Sequence, residues 1–163
     1  MKQIFIIAIA SVFFKVPALA NTYRVTDVID GDTIKVTNLE KNSTQRVRLA
    51  CIDAPEADQP QGKLSQITLA SFIPIGSNIE LNIVDMDKYG RSVAEVMINN
   101  VIVNQSMLKK GQAIVYQQYL DNCADATGYL AAEREAKQNK IGFWQDVSFV
   151  NPQDWRQGNR SVV

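Results

Sequence analysis

Acidic and basic side chains recur in three short segments of the chain that also contain turn-forming residues. The segments are DGDT at residues 30–33, RLACIDAPE at residues 48–56 and DKYGR at residues 87–91. Clustered carboxylates could hold a hard divalent cation, and one further carboxylate could accept a proton from water. Arginine presents a rigid fork of donors that matches the oxygens of a phosphate. The three segments therefore contain the groups needed for metal-assisted cleavage of a phosphodiester.

The types of ligand available favour calcium over zinc. Calcium takes roughly 6–8 oxygen ligands, and backbone carbonyls or waters supply what carboxylates do not. The chain contains no histidine and only two cysteines, whereas zinc sites in proteins are built mainly from these two residues. We therefore predict calcium as the metal.

Each segment also has an interpretation that involves no chemistry. Asp30 and Gly31 are typical of a hairpin turn, and the DKYGR segment could be an ordinary charged hairpin. Arg48 could be a surface residue that pairs with an acid on a neighbouring strand. Arg48 and Asp53 point to opposite faces of a regular strand, because they are five residues apart. They can serve one phosphate only if the strand bends or ends near Ile52.

The elements that must position these segments are mostly strands. Residues 23–29, 33–37 and 45–52 are rich in β-branched side chains with partial period-two alternation, which predicts a three-stranded meander. Two more strands follow. One lies around residues 79–83, and the other runs from residue 92 to 98 and turns into residues 101–103.

Helical spacing of apolar residues predicts a helix over residues 61–73, and two more helices are predicted at residues 104–110 and 129–140. Five short strands with a helix after the third indicate an α+β protein. We predict a five-stranded Greek-key β-barrel of the OB type with about three helices. A β-sandwich is less favoured because about seven strands would be expected.

The N-terminus has the pattern of a signal peptide. Lys2 precedes an apolar run at residues 4–14, and small residues at 18–20 predict cleavage before Asn21. An uncleaved membrane anchor is the alternative, but the run is too short to span a bilayer. Residues 21–163 would form one domain, with a core at about 23–144 and an irregular tail at 145–163.

Charge and cysteine content restrict the class of protein further. The chain has 17 basic and 17 acidic residues, and loss of Lys2 and Lys15 with the signal peptide leaves 15 basic ones. Any nucleic acid must therefore be held by local arginines and a metal rather than by a general positive field. In an exported chain Cys51 and Cys123 could form a disulfide, although Cys51 could also be a small buried apolar residue.

Taken together, the three segments resemble the thermonuclease family, typified by staphylococcal nuclease. The resemblance covers residues 23–144. It rests on the DGDT turn, on an arginine followed five residues later by aspartate and eight later by glutamate, and on the DKYGR segment, all in order and with matching internal spacing.

The resemblance implies a role for each matching position. Asp32, Asp53 and the carbonyl of Ala54 would bind calcium. Glu56 would act as general base or orient the attacking water. Arg48 and Arg91 would bind the scissile phosphate, and Asp30 would support the metal ligands from behind. Substrate contacts are implied for Lys88, Tyr89 and Tyr116, the last by stacking on a base.

The resemblance implies an exported, monomeric, calcium-dependent endonuclease, secreted or periplasmic, with no membrane association in its mature form. It would hydrolyse DNA and RNA with low sequence specificity and leave 3′-phosphate ends. The main alternative is an OB-type nucleic-acid-binding module without catalysis. An extracellular calcium-stabilised protein with no nucleic-acid role is a more distant one.

Overall fold

A closed barrel of five strands forms the centre of the computed structural model, which describes residues 22–160. The predicted signal peptide at residues 1–20 and its cleavage point before Asn21 lie outside the described residues. The barrel strands are β1 (Thr22–Val28), β2 (Thr33–Asn38), β3 (Ser43–Leu49), β5 (Asn78–Met86) and β6 (Ser92–Ile98).

Strand pairing closes the sheet into a barrel. β1, β2 and β3 form the predicted antiparallel meander, β5 pairs with the other edge of β1, and β6 pairs with β5. A parallel pairing between β3 and β6 joins the two edges. The closing pair covers residues 47–49 of the outer edge of β3, and a paired edge is protected from edge-to-edge association. The predicted five-stranded barrel is confirmed.

Three two-residue strands supplement the barrel, namely β4 (Ile52–Asp53), β7 (Val101–Ile102) and β8 (Ile114–Val115). β7 extends β6 through a turn at Asn99 and Asn100, whose φ values are 50° and 62°. β4 pairs with β8, which fixes Asp53 opposite Ile114.

Three helices of seven or more residues pack around the barrel, as predicted. They are α1 (Gly62–Phe72), α2 (Val103–Lys109) and α3 (Ala126–Gln138). α3 begins three residues earlier than predicted, because the Asp125 side chain accepts a hydrogen bond from the Gly128 N–H and caps the helix. Two 3-10 turns follow β8 and α3, at Gln117–Asn122 and Gly142–Gln145.

The tail at residues 145–163 is predicted from the sequence to be irregular, but part of it is helical in the structure. It contains the short helix α4 (Pro152–Arg156), in which Asn151 accepts a hydrogen bond from the Gln153 N–H at 2.9 Å and Pro152 is the first helical residue. Proline is favoured at that position because its φ is already helical and its missing N–H has no partner to lose.

One hydrophobic core joins the barrel interior to the helices. Its largest fully buried side chains include Tyr129, Ile34, Leu49, Leu69 and Met107. A buried carboxylate, Glu95 of β6, lies in this core and accepts hydrogen bonds from the Tyr129 hydroxyl at 3.1 Å and the Asn82 amide at 2.8 Å. Burial and the charge of Glu95 raise the pKa of Tyr129 above its ordinary value, so the hydroxyl remains a donor.

Cys51 and Cys123 form a disulfide with their Cα atoms 6.4 Å apart. The bond links the segment just before β4 to the segment just before α3, and 72 residues separate the two cysteines along the chain. None of the helices between residues 22 and 160 is both long and apolar enough to cross a bilayer.

Candidate active site

The DGDT turn is held in place by close packing. A side chain at Gly31 would collide with the Ser65 hydroxyl of α1 and approach the Ala54 Cβ within 2.8 Å, so only glycine fits between them. The Asp32 N–H donates to the Asp30 Oδ1 at 2.9 Å, which closes the turn and directs Asp32 inward. Asp32 is accordingly buried, with 4% of its surface exposed.

The chain bends between Arg48 and Asp53, as their shared function would require. β3 ends at Leu49, and Cys51 adopts a left-handed conformation with a φ of 62° before β4 begins at Ile52. The bend reverses the alternation of side chains, so the Arg48 Nη2 donates to the Asp53 Oδ1 at 2.9 Å. The end of β3 at Leu49 meets the structural condition under which Arg48 and Asp53 could serve one phosphate, and that shared role stays a prediction.

Arg48 connects the two carboxylates predicted to bind metal. Its Nη1 donates to the Asp32 Oδ1 at 2.5 Å while its Nη2 contacts Asp53. Burial works against the charged guanidinium, but the negative charges of Asp32 and Asp53 outweigh this effect and raise the pKa of Arg48 above its ordinary value. Arg48 is therefore a fixed positive charge at the centre of the site.

The Asp32 side chain accepts two further hydrogen bonds, one from Thr33 and one from the backbone of Ala54. The Thr33 hydroxyl donates to the Asp32 Oδ1 at 3.0 Å, and the Ala54 N–H donates to the Asp32 Oδ2, also at 3.0 Å. Burial and the nearby charge of Asp32 raise the pKa of Asp30 to about 6. Asp30 is therefore close enough to Asp32 for the charge of Asp32 to affect its pKa. It lies beside the two carboxylates that Arg48 contacts.

Arg91 lies in the DKYGR hairpin and is paired within it. Its side-chain Nε donates to the Asp87 Oδ2 at 2.6 Å, and its backbone N–H donates to the Asp87 Oδ1 at 3.0 Å. Partial burial acts to raise the pKa of Asp87, but the hydrogen bonds from Arg91 and from the Tyr89 N–H outweigh it and lower that pKa. Asp87 thus aligns the guanidinium without burying it, since 26% of the Arg91 side chain is exposed.

One cavity of about 340 Å³ connects these groups. The predicted site residues that line it are Asp30, Asp32, Arg48, Ala54, Glu56, Lys88, Tyr89, Arg91 and Tyr116. Asp53 is not among the lining residues; it is 2% exposed and lies behind Arg48. A second cavity, of about 430 Å³, shares Arg48, Lys88, Tyr89, Arg91 and Tyr116 with the first, so the two form one continuous surface depression.

Aromatic side chains border this depression. Tyr89 is 72% exposed, with the Lys88 Nζ 5.1 Å and the Arg91 Cζ 5.6 Å from its ring centroid. Tyr116 contacts Tyr119 edge to face at 4.9 Å, and both rings line the larger cavity. Exposed tyrosines next to cations suit a ligand that combines phosphates with flat bases.

Sequence reasoning missed a third arginine at the site. Arg156, the last residue of α4, donates from Nη2 to the Asp53 Oδ2 at 2.6 Å and from Nη1 to the Glu56 Oε1 at 2.5 Å. Hydrogen bonds to Asp53 and Glu56 outweigh burial, which acts in the opposite direction, and raise the pKa of Arg156. The Asn151-Pro152 pair predicts a helix start in the tail, but nothing in the sequence indicates where that helix docks.

The oxygen donors fit the chemistry of a calcium ion, although no complete coordination shell is preformed. Among residues 22–160, no group of three or more His, Cys, Asp or Glu side chains could hold a metal ion by itself. Asp32 and Asp53 supply two buried carboxylates on either side of Arg48, and calcium commonly completes its shell with backbone carbonyls and waters. Asp53 also accepts hydrogen bonds from Arg156, a cation that would compete with a metal ion for this carboxylate.

The barrel with its acidic and arginine-lined depression belongs to the class of nuclease-type domains. The chain is a member of the staphylococcal nuclease family, because the family model described as "Staphylococcal nuclease homologue" matches residues 46–146. The match ends before α4 and therefore does not include Arg156.

Individual relatives agree with this assignment. The chain is 38% identical over 138 residues to a Haemophilus influenzae protein named "Uncharacterized endonuclease", with 84% of this chain and 74% of the relative covered. It is 32% identical over 160 residues to a Shigella flexneri protein named "Micrococcal nuclease", with 91% and 88% covered. A nuclease of the hydrolase class is therefore the function that the family supports.

Proposed function

We propose that the protein is an exported, calcium-dependent endonuclease that hydrolyses phosphodiester bonds of DNA and RNA with low sequence specificity. The observation that carries the proposal is the cavity that Asp32, Arg48, Glu56, Arg91, Tyr89 and Tyr116 line together, with Asp53 buried beside it in contact with Arg48. The disulfide is consistent with export, because such bonds persist mainly outside the reducing cytoplasm. We expect the mature protein to act as a monomer.

The chain's own residues have distinct tasks in this proposal. Asp32, Asp53 and the Ala54 carbonyl would hold calcium, which when bound would offset negative charge on the phosphate. Arg48 and Arg91 would bind the phosphate oxygens and stabilise the charge that develops as phosphorus is attacked. Lys88 and Tyr89 would contact the flanking chain, and Tyr116 would stack on a base.

Glu56 would act as the general base. It would accept a proton from water as the water oxygen forms a bond to phosphorus, and the bond from phosphorus to the 5′ oxygen would break. The 5′ oxygen would leave and take up a proton, so the products would carry 3′-phosphate and 5′-hydroxyl ends. Glu56 is 37% exposed at its side chain, which allows water to reach it.

A digestion assay tests the proposal. Plasmid DNA and a structured RNA are incubated with purified mature protein in calcium, in a calcium chelator, and in chelator followed by excess calcium. We expect both substrates to be cut only when calcium is present, with labelled ends that show a 3′-phosphate. Cleavage that is indifferent to the chelator would refute calcium dependence.

A pair of matched variants separates catalysis from binding. Glu56→Gln should lower the cleavage rate by about 10²–10⁴-fold, the usual contribution of a general base. Glu40→Gln removes one carboxylate in the exposed turn after β2 and should cleave normally. Retained binding of a DNA oligonucleotide without cleavage in the wild-type protein would instead support the non-catalytic binding module.

A further inference from the structure

The C-terminal strap, which we define as residues 147–160, places a positive charge where the proposed reaction needs free carboxylates. Through the Arg156 guanidinium it contacts both oxygens of Asp53 and one oxygen of Glu56. These are a proposed metal ligand and the proposed base. Together with Arg48, the strap leaves neither oxygen of Asp53 without an arginine partner.

The strap is anchored by contacts that lie away from the carboxylates. The Phe149 ring stacks on Phe143 with centroids 3.9 Å apart, and the Gln59 amide donates to the Val150 carbonyl at 2.6 Å. The Trp155 Nε1 donates to the Asp58 Oδ1 at 3.1 Å, next to Arg156 in sequence. The backbone that carries Arg156 can therefore stay docked when its side chain moves.

Arg156 is held less firmly than Arg48. Its side chain is 38% exposed against 17% for Arg48, and it lies at the end of a five-residue helix rather than in the barrel. Exposed ion pairs contribute little and compete with solvent and salt. The Arg156 side chain can leave the cluster by rotation into water, whereas the less exposed Arg48 side chain would have to leave both Asp32 and Asp53.

A calcium ion and Arg156 compete for Asp53, because both are cations and would use the same carboxylate. Calcium binds carboxylate oxygens at about 2.3–2.6 Å, and the Arg156 nitrogens already lie 3.2 Å from Oδ1 and 2.6 Å from Oδ2 of Asp53. Arg156 also contacts the Glu56 Oε1 through its Nη1.

We propose that Arg156 is an internal cation that occupies Asp53 and Glu56 in the metal-free protein and that calcium must displace. The inference rests on the proposed calcium dependence and adds a device that sets the calcium concentration at which the site becomes competent. Occupancy by Arg156 lowers the apparent calcium affinity in proportion to the fraction of molecules in which the side chain is docked. Release of the guanidinium also removes its contact with the Glu56 Oε1.

Calcium titration by calorimetry on the full mature chain tests the inference without measuring activity. We compare wild type with Arg156→Ala and with Arg156→Gln, which keeps most of the side-chain length but not the charge. Arg134→Ala is the matched control, because Arg134 is an exposed arginine of α3 that does not line the cavity. Circular dichroism confirms that each variant is folded.

The expected result is calcium binding that is tighter by about fivefold or more in both Arg156 variants, which is the lower end of typical coupling between competing ligands. Arg134→Ala should bind calcium as wild type does. Unchanged or weaker calcium binding in both Arg156 variants would overturn the inference and would indicate that Arg156 serves as a third phosphate-binding arginine. A wild-type chain that binds no calcium would instead overturn the proposed calcium dependence, and with it the displacement.

Discussion

Arg48 and Arg156 contact the same carboxylate, Asp53, but different parts of the molecule hold them in place. Arg48 projects from a barrel strand and also contacts Asp32, so its position is tied to the fold. Arg156 projects from the strap and contacts Glu56, a partly exposed group. The comparison teaches that proximity to a reactive carboxylate does not by itself define a role. The rigid arginine is suited to stabilise developing charge, and the mobile one to be exchanged.

The largest expected difference concerns catalysis. Arg48→Ala should reduce kcat by about 10²–10³-fold, the usual effect of removing a donor that stabilises developing charge. Arg156→Ala should reduce kcat far less when calcium is saturating, because in the wild-type protein the displaced Arg156 side chain no longer contacts the reacting groups. Steady-state kinetics on a fluorescent DNA substrate would measure both. A loss in Arg156→Ala as large as that in Arg48→Ala would break the comparison.

A difference in the free energy of unfolding should accompany the difference in catalysis. Removing the disulfide with the double variant Cys51→Ala, Cys123→Ala should lower the free energy of unfolding by about 2–4 kcal/mol, because the unfolded chain regains freedom over a long loop. Arg156→Ala should lower it by less than removing the disulfide does, because the Arg156 side chain is 38% exposed and Asp53 keeps its contact with Arg48. Urea unfolding without calcium tests both. Equal destabilisation by the two changes would contradict a loosely held strap.

A smaller effect is expected in the core beneath the site. Tyr129→Phe removes one donor from the buried Glu95 carboxylate and should cost about 1.5–3 kcal/mol, as expected for a hydrogen bond to a charged group. Tyr119→Phe is the matched control, since Tyr119 is 41% exposed. Calcium affinity should be unchanged in both variants. A change in calcium affinity with Tyr129→Phe would mean that the barrel core, and not only the strap, tunes the site.

The smallest effect is expected where the strap is anchored. Asp58→Asn weakens the contacts of Asp58 with Trp155 and Arg160 without touching Asp53 or Glu56. Looser anchoring should lower the docked fraction of Arg156, so calcium should bind slightly tighter than in wild type and less tightly than in Arg156→Ala. Calcium binding weaker than in wild type would show that Asp58 does not act through the strap.

The sequence predicted the barrel for identifiable physical reasons, whereas the roles at the site came from the resemblance to a family and stay predictions. Alternating β-branched residues set the barrel strands, and the required bend between Arg48 and Asp53 followed from the two-residue period of a strand. The position of that bend, at the left-handed Cys51, did not follow, because the pairing of β4 with β8 and the disulfide that impose it join residues distant in sequence. Arg156 was missed for the same reason, since its docking depends on contacts with residues 58 and 59.

The parallel pairing of β3 with β6 has a consequence for how the chain folds. Val47 pairs with Ser92, and Ile52 of β4 pairs with Val115. Both pairings close long loops, so the chain loses conformational entropy before the new contacts can stabilise it. The meander of β1 to β3 can form early because its contacts are local. The carboxylate cluster, by contrast, includes Asp53 of β4, which pairs with Ile114 much later in the chain. A chain synthesised only as far as β6 would therefore contain every proposed metal ligand but lack the strand that pairs with Asp53.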